Sequence, residues 1–169
     1  MFKPLISICI PSYNTANYIT ETINCFLSQS YQNIEIIIVD DGSTDKTLDI
    51  LKKINSEKLK LIPVIKGGAS KARNIAYQNS KGDYIIFFDA DDFVQPTFVN
   101  DQVNEIFNKE NIVVLSEWGR FYNDDLTTFN EEKSVENEYT LETWITTYWY
   151  NCNPMTNPGR AIIPKSVIE

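Results

Sequence analysis

Four short apolar runs, each closed by a polar turn, constrain this chain more than any other feature. Residues 5–10 run into Pro11, and residues 34–39 into Asp40-Asp41-Gly42-Ser43. Residues 59–64 precede Lys66-Gly67-Gly68, and residues 84–88 precede Asp89-Ala90-Asp91-Asp92. A strand with one wet face alternates polar and apolar residues. Runs that stay apolar at consecutive positions belong to strands buried on both faces, as in a parallel sheet covered by helices.

The segments between the runs read as helices. Residues 17–30 place Tyr18, Ile19, Ile23, Phe26 and Leu27 at helical spacing. Ser43 or Thr44 is placed to cap a second helix carrying Leu48, Ile50, Leu51 and Ile54, and residues 69–79 form a third. A fourth helix is expected from Pro96 to about Lys109, then a fifth strand at 112–116. The fold class is therefore α/β, a three-layer α/β/α arrangement with a mostly parallel sheet and right-handed crossovers.

The pattern loosens after Ser116. Residues 123–138 are polar and acidic and read as loop with short strand pieces. Residues 141–150 carry Trp144, Ile145, Tyr148 and Trp149 at helical spacing. Residues 160–163 read as a strand, and Pro164 is placed to open a last helix. Residues 1–116 are thus expected to bind the ligand. Residues 117–169 are expected to begin a further region of the same domain, within a longer protein.

Composition removes several functions. The net charge is −8, which argues against nucleic-acid binding through a broad basic surface. An acidic protein that binds an anion needs local help from a metal ion, a helix N-terminus or a few placed cations. There is no histidine, so no His-based zinc site and no Ser–His triad. Cys9, Cys25 and Cys152 have no CxxC spacing and fit reduced thiols in a cytosolic compartment. No run approaches the ~18 apolar residues of a membrane-spanning helix.

Ligands of open parallel sheets bind beyond the carboxyl ends of the strands. The polar residues cluster at those ends. Three carboxylates in Asp89-Ala90-Asp91-Asp92 repel one another unless a cation neutralises them, and Mg²⁺ or Mn²⁺ with diphosphate oxygens would do so. On an extended chain Asp89 and Asp91 would point the same way and Asp92 elsewhere. The alternative is a solvated acidic turn. In the second loop, a carboxylate of Asp40 or Asp41 could accept from a nucleobase N–H, or cap the following turn. Tyr13 could stack on a base, or pack under its loop. Arg73, one turn into a helix after two glycines, suits a diphosphate, or pairs with a surface carboxylate.

Taken in order, these segments resemble one family. They are Ile8-Cys9-Ile10-Pro11-Ser12-Tyr13-Asn14, Ser28-Gln29-Ser30-Tyr31, Val39-Asp40-Asp41-Gly42-Ser43-Thr44-Asp45, Gly67-Gly68-Ala69-Ser70-Lys71-Ala72-Arg73-Asn74 and Asp89-Ala90-Asp91-Asp92. The resemblance is to the family 2 glycosyltransferases of the GT-A fold and runs from about residue 4 to residue 100. It implies an inverting transferase using a nucleotide-diphosphate sugar, most often a UDP-sugar, and a glycan or lipid-linked acceptor. It places Pro11, Tyr13 and Asp41 around the base with Asp40 beside them. Arg73 falls near ribose and diphosphate, and Asp91 near the ribose. Asp89, Asp91 and Asp92 are the implied ligands of Mn²⁺ or Mg²⁺. It further implies cell-surface polysaccharide or glycolipid synthesis, in the cytoplasm or at the inner face of the membrane.

Two departures stand out. Lys66 occupies a position where the family often has Asn. No carboxylate is a convincing catalytic base: Glu117, Asp124 and Asp125 read as solvated loop charges, and the base is expected beyond Glu169. Two other classes share parts of this layout. A phospho-receiver domain also carries an acidic pair and a later Asp, but its pair follows the first strand. A sugar nucleotidyltransferase would carry a Gly- and Arg-rich loop after strand one, where this chain has Ser12-Tyr13-Asn14-Thr15.

Overall fold

The computed structural model describes residues 3–109, 112–123, 125–132 and 158–168. The expected α/β alternation is present. Strands β1 (Ile6–Ser12), β2 (Ile34–Asp40), β3 (Leu59–Pro63) and β4 (Tyr84–Phe87) alternate with helices α1 (Ile19–Leu27), α2 (Thr47–Leu51) and α3 (Ala69–Gln78). Helix α4 (Phe98–Ile106) leads to β5 (Val114–Leu115), and β8 (Ala161–Pro164) precedes a one-turn helix, Lys165–Ile168. The six-stranded sheet has the order β3-β2-β1-β4-β8-β5. β1 is parallel to both β2 and β4, and β2 is parallel to β3. β8 runs antiparallel to β4 and to β5.

The alternation of side chains along each strand sorts the core into two halves. Ile6, Ile8 and Ile10 of β1, with Ile36 and Ile38 of β2, pack against Ile19, Ile23 and Phe26 of α1, Leu51 of α2 and Val99, Val103 and Ile106 of α4. Cys9, Ile37, Val39 and Ile85 face the opposite way, against Ala72 and Ala76 of α3. Both faces of β1 and β2 are covered, which is why consecutive residues such as Ile8-Cys9-Ile10 and Ile36-Ile37-Ile38-Val39 are apolar. Burying each Ile side chain contributes about 1.5–3 kcal/mol. Phe26 of α1 meets Phe88 edge-on at 4.7 Å.

Several local expectations change. Ser43 and Thr44 do not cap α2; that helix is a single turn, and the Asp45 carboxylate accepts from the Thr47 N–H at 2.9 Å. Ser43 and Thr44 instead meet Asn14. The Asn14 N–H donates to Ser43 Oγ at 3.0 Å, and the Thr44 N–H donates to Asn14 Oδ1 at 2.8 Å. Asn14 sits at φ 54, a left-handed conformation that Asn tolerates better than most residues.

Within 123–138, which reads as loop with short strand pieces, lies β7 (Asp125–Glu132), paired with β6 (Trp118–Tyr122) in a hairpin separate from the main sheet. Its register shifts between Arg120 and Tyr122. The expected helix at 141–150 lies outside the described residues. No helix among the described residues is long and apolar enough to cross a membrane.

Candidate functional site

The parallel order brings the carboxyl ends of β1 to β4 to one edge. Ser12 pairs in register with Asp40, and the Asp41 N–H donates to the Ser12 carbonyl at 2.8 Å. The Val64 N–H donates to the Asp40 carbonyl at 2.9 Å, which ties the third loop to the second. Pro11 lies in β1 beyond Cys9, the last β1 residue paired with β4. At that point β1 has β2 alone as its neighbour, so a residue without an N–H is tolerated.

Asp41 is only 4% exposed, and its carboxylate faces the third loop. Oδ1 accepts from the Gly67 N–H at 2.7 Å and Oδ2 from the Gly68 N–H at 2.8 Å. Gly68, at φ 95, is the residue before α3. Asp41 therefore sets the backbone at the entrance of that helix. Gly42 serves the same junction: at φ 72, a Cβ on it would lie 2.9 Å from the Lys66 nitrogen. Asp40 is 1% exposed, and its Oδ2 accepts from the Ser43 N–H at 3.2 Å. Its Oδ1 is buried without a hydrogen-bond partner. Such an atom costs about 1–3 kcal/mol, which a donor from a ligand would recover.

Tyr13 stands at the rim, 38% exposed, with the Lys66 ammonium 3.7 Å from its ring centre. Lys66 stands where the resembled family often has Asn, and its cation rests on the aromatic face. Asp45 tightens the same corner by accepting from Ala16 N–H at 3.2 Å. A hydrogen bond with the Thr47 side chain is the main reason that the Asp45 carboxyl lies below its ordinary range.

Arg73 of α3 donates through Nη2 to Asp89, with the two side chains about a third exposed or less. Its Nε is buried and has no partner. Of the two readings of Arg73 the ion pair is present, and its partner belongs to the acidic turn. That turn is not extended. The Asp92 N–H donates to the Asp89 carbonyl at 3.3 Å, and Thr22 Oγ1 of α1 donates to the Ala90 carbonyl at 3.0 Å. The extended-chain pairing of Asp89 with Asp91 is thereby replaced. Asp89 is held by Arg73, while Asp91 and Asp92 line a cleft of about 420 Å³ between the turn and the β6–β7 hairpin.

Among the described residues no three His, Cys, Asp or Glu side chains gather as a metal cage. A Mg²⁺ or Mn²⁺ held by one or two carboxylates and by phosphate oxygens needs none. Asp91 and Asp92 fit that donor set, because both are hard oxygen ligands on an open cleft. Asp89 fits less well, being paired with Arg73. Asn14, Thr22 and the hairpin aromatics went unassigned in the sequence. For Asn14 the signal was present, a turn-favouring residue directly after a strand.

A mostly parallel sheet with its polar loops gathered at one edge, an acidic turn among them, defines an α/β fold of the GT-A type. Residues 7–167 match Glycosyl transferase family 2, and the chain belongs to that family. An uncharacterised glycosyltransferase of Haemophilus influenzae is 43% identical over 120 residues, which cover 69% of this chain and 47% of that one. The UDP-Glc:alpha-D-GlcNAc-diphosphoundecaprenol beta-1,3-glucosyltransferase WfaP of Escherichia coli is 45% identical over 104 residues, 59% of this chain and 40% of its own. Among solved structures, S. aureus TarS 1-349 superposes with a TM-score of 0.73 at 26% identity, over 96% of this chain and 48% of that one. The chain thus spans less than half the length of these relatives.

Proposed function

We propose that this chain forms the donor half of an inverting glycosyltransferase, holding a nucleotide-diphosphate sugar, with UDP as the first choice of nucleotide. The observation that carries this reading is the linkage of the strand-end loops, Asp41 to Gly67 and Gly68, and Arg73 to Asp89, beside the cleft that Asp91 and Asp92 line. The name of WfaP, a relative that uses UDP-Glc, supports the choice of donor. Receiver and nucleotidyltransferase readings find no support in the family match.

In this reading Tyr13 and Pro11 flank the base, and the unpaired acceptor of Asp40 makes it a better reader of a base N–H than Asp41, whose oxygens hold the loop. Arg73 exchanges Asp89 for the diphosphate as the anion arrives at the start of α3. Asp91 and Asp92 would hold Mn²⁺ or Mg²⁺, which supplies positive charge against the departing nucleoside diphosphate. The acceptor, glycan or lipid-linked, needs a carboxylate to take its proton. Glu117 and Asp125 are exposed, and Asp125 is a poor base because hydrogen bonds from Thr127 hold its carboxyl below the usual range. Among the described residues neither carboxylate makes a good base, and Asp124 lies outside them.

Thermal unfolding with UDP, GDP and dTDP, each with and without Mn²⁺, tests the reading. Ligand at 100 times Kd should add about 2.7 kcal/mol of stability. UDP should give the largest shift, and EDTA should diminish it. The absence of any nucleotide-dependent shift overturns the proposal.

A further inference from the structure

Thr22 and Gln29 are polar, fully buried and two helical turns apart along α1 and its end. Gln29 lies just past the end of α1 and uses every polar atom of its side chain. Nε2 donates to the Cys25 carbonyl of α1 at 3.0 Å and to the Gln95 carbonyl at 2.8 Å, and Oε1 accepts from the Val99 N–H at 2.9 Å. Two carbonyls on one side and an N–H on the other fix which way the side-chain amide points. The Ser30 N–H adds a bond to the Pro96 carbonyl at 2.8 Å. Val99 is in the first turn of α4, whose N-cap residue Thr97 makes no side-chain cap. Gln29 therefore satisfies an amide of α4 from the end of another helix. Thr22 holds the start of the same stretch through its bond to the Ala90 carbonyl at 3.0 Å.

Asp91, Gln95, Pro96 and Thr97 are exposed, so solvent rather than packing surrounds much of the chain between these anchors. Val94 packs on the core, which keeps the segment attached when a polar anchor is lost. Helix α1 itself starts from the loop that carries Tyr13, where the Ile19 N–H donates to the Thr15 carbonyl at 3.0 Å. One helix thus sets the distance between that loop and the acidic turn. A small divalent cation tolerates little error in the position of its oxygen ligands, and the groups behind those ligands share the task of placing them. We propose that Thr22 and Gln29 are positioning residues for the acidic turn: they hang residues 90–99 from α1 and so set where Asp91 meets the metal and the diphosphate. The inference rests on the nucleotide-sugar reading above. It gives the Ser28-Gln29-Ser30-Tyr31 segment a role in donor binding that needs no contact with the ligand.

Titration calorimetry with UDP, in EDTA and in Mn²⁺, is run on wild type, Thr22→Val, Thr22→Ser and Gln29→Met. Valine keeps the shape of Thr22 without its donor, and serine keeps the donor. Methionine keeps the length of Gln29 without its N–H groups or its carbonyl. Thr22→Val and Gln29→Met should leave metal-free UDP affinity within about twofold and cut the gain that Mn²⁺ brings about tenfold, the low end of what lost outer-shell support costs a metal site. Thr22→Ser should keep most of the gain. Hydrogen exchange read by mass spectrometry should quicken in peptides covering 89–99 and stay unchanged in those covering β1 and β2. A gain from Mn²⁺ equal to wild type in both Thr22→Val and Gln29→Met overturns the proposal. So does an equal loss in EDTA and in Mn²⁺, or a loss of folding in both variants, since the two residues would then support the domain as a whole. Wild type that binds UDP with no gain from Mn²⁺ also overturns it and leaves the nucleotide reading standing. Wild type that binds no UDP overturns the nucleotide reading and this proposal together.

Discussion

Arg73 on α3 is ion-paired with Asp89 in the acidic turn, so the cation proposed to meet the diphosphate is already neutralised. An arriving anion competes with a carboxylate for it. Asp89→Asn keeps the shape and removes that competition. Metal-free UDP affinity should rise up to about fivefold, the scale of a partly exposed ion pair. Calorimetry in EDTA checks it, and unchanged or weaker binding would show that Asp89 aids the nucleotide directly.

Asp41→Ala removes an acceptor shared by two backbone amides. Each such bond to a charged group contributes roughly 1.5–3 kcal/mol, so urea unfolding should show a loss of at least that order. Nucleotide binding should weaken by the same factor for every base, because the defect lies in the loop ahead of α3. A loss several-fold larger for UDP than for a nucleotide lacking the base N–H would instead make Asp41 the base reader.

Asp91→Asn and Asp92→Asn remove hard oxygen charge from the cleft. Mn²⁺-dependent UDP affinity should fall in each, while folding survives because like-charge repulsion in the turn is relieved. Circular dichroism and calorimetry on the same samples provide the check. An unfolded Asp92→Asn protein, alongside wild type that binds no metal, would make the cluster structural.

Burial, with Glu35 nearby, pushes the Cys9 thiol up to about 12. The folded state keeps the proton that the unfolded chain releases near 9.0. This contribution to stability is fully present below pH 9 and is lost as pH rises from 9 toward 12. Cys9→Ala should flatten that alkaline loss. At pH 8, iodoacetamide should label Cys25 before Cys9, with Cys9 reacting only in denaturant. Rapid native labelling of Cys9 would contradict its burial.

Strands β1, β2 and β4 were readable because burial on both faces writes itself into consecutive residues, as in Ile36-Ile37-Ile38-Val39. The site residues were readable as a neighbourhood, since parallel strands deliver their ends to one edge. Individual roles were less so. Nothing in Asp40-Asp41 says which carboxylate turns to the Gly67 and Gly68 amides, because that depends on where β3 docks. Short strand pieces were legible at 123–138, but their pairing as the β6–β7 hairpin was not, because it lies off the main sheet and most of its residues are exposed, so its sequence carries no buried stripe. Residues 160–163 were recognised as a strand, but its antiparallel slot beside Tyr84 is a long-range outcome.

That slot also sets a timetable. Among the described residues, Val114 and Leu115 of β5 join the sheet through Ile162 and Ala161 of β8. While the chain emerges from the ribosome, β1 to β4 can assemble as soon as Phe87 is free, each strand beside one already made. β5 must wait for residues synthesised far later, with the β4 edge left open in the meantime. Chaperone engagement and vulnerability to proteases should therefore peak in nascent chains that end between Leu115 and Ala161.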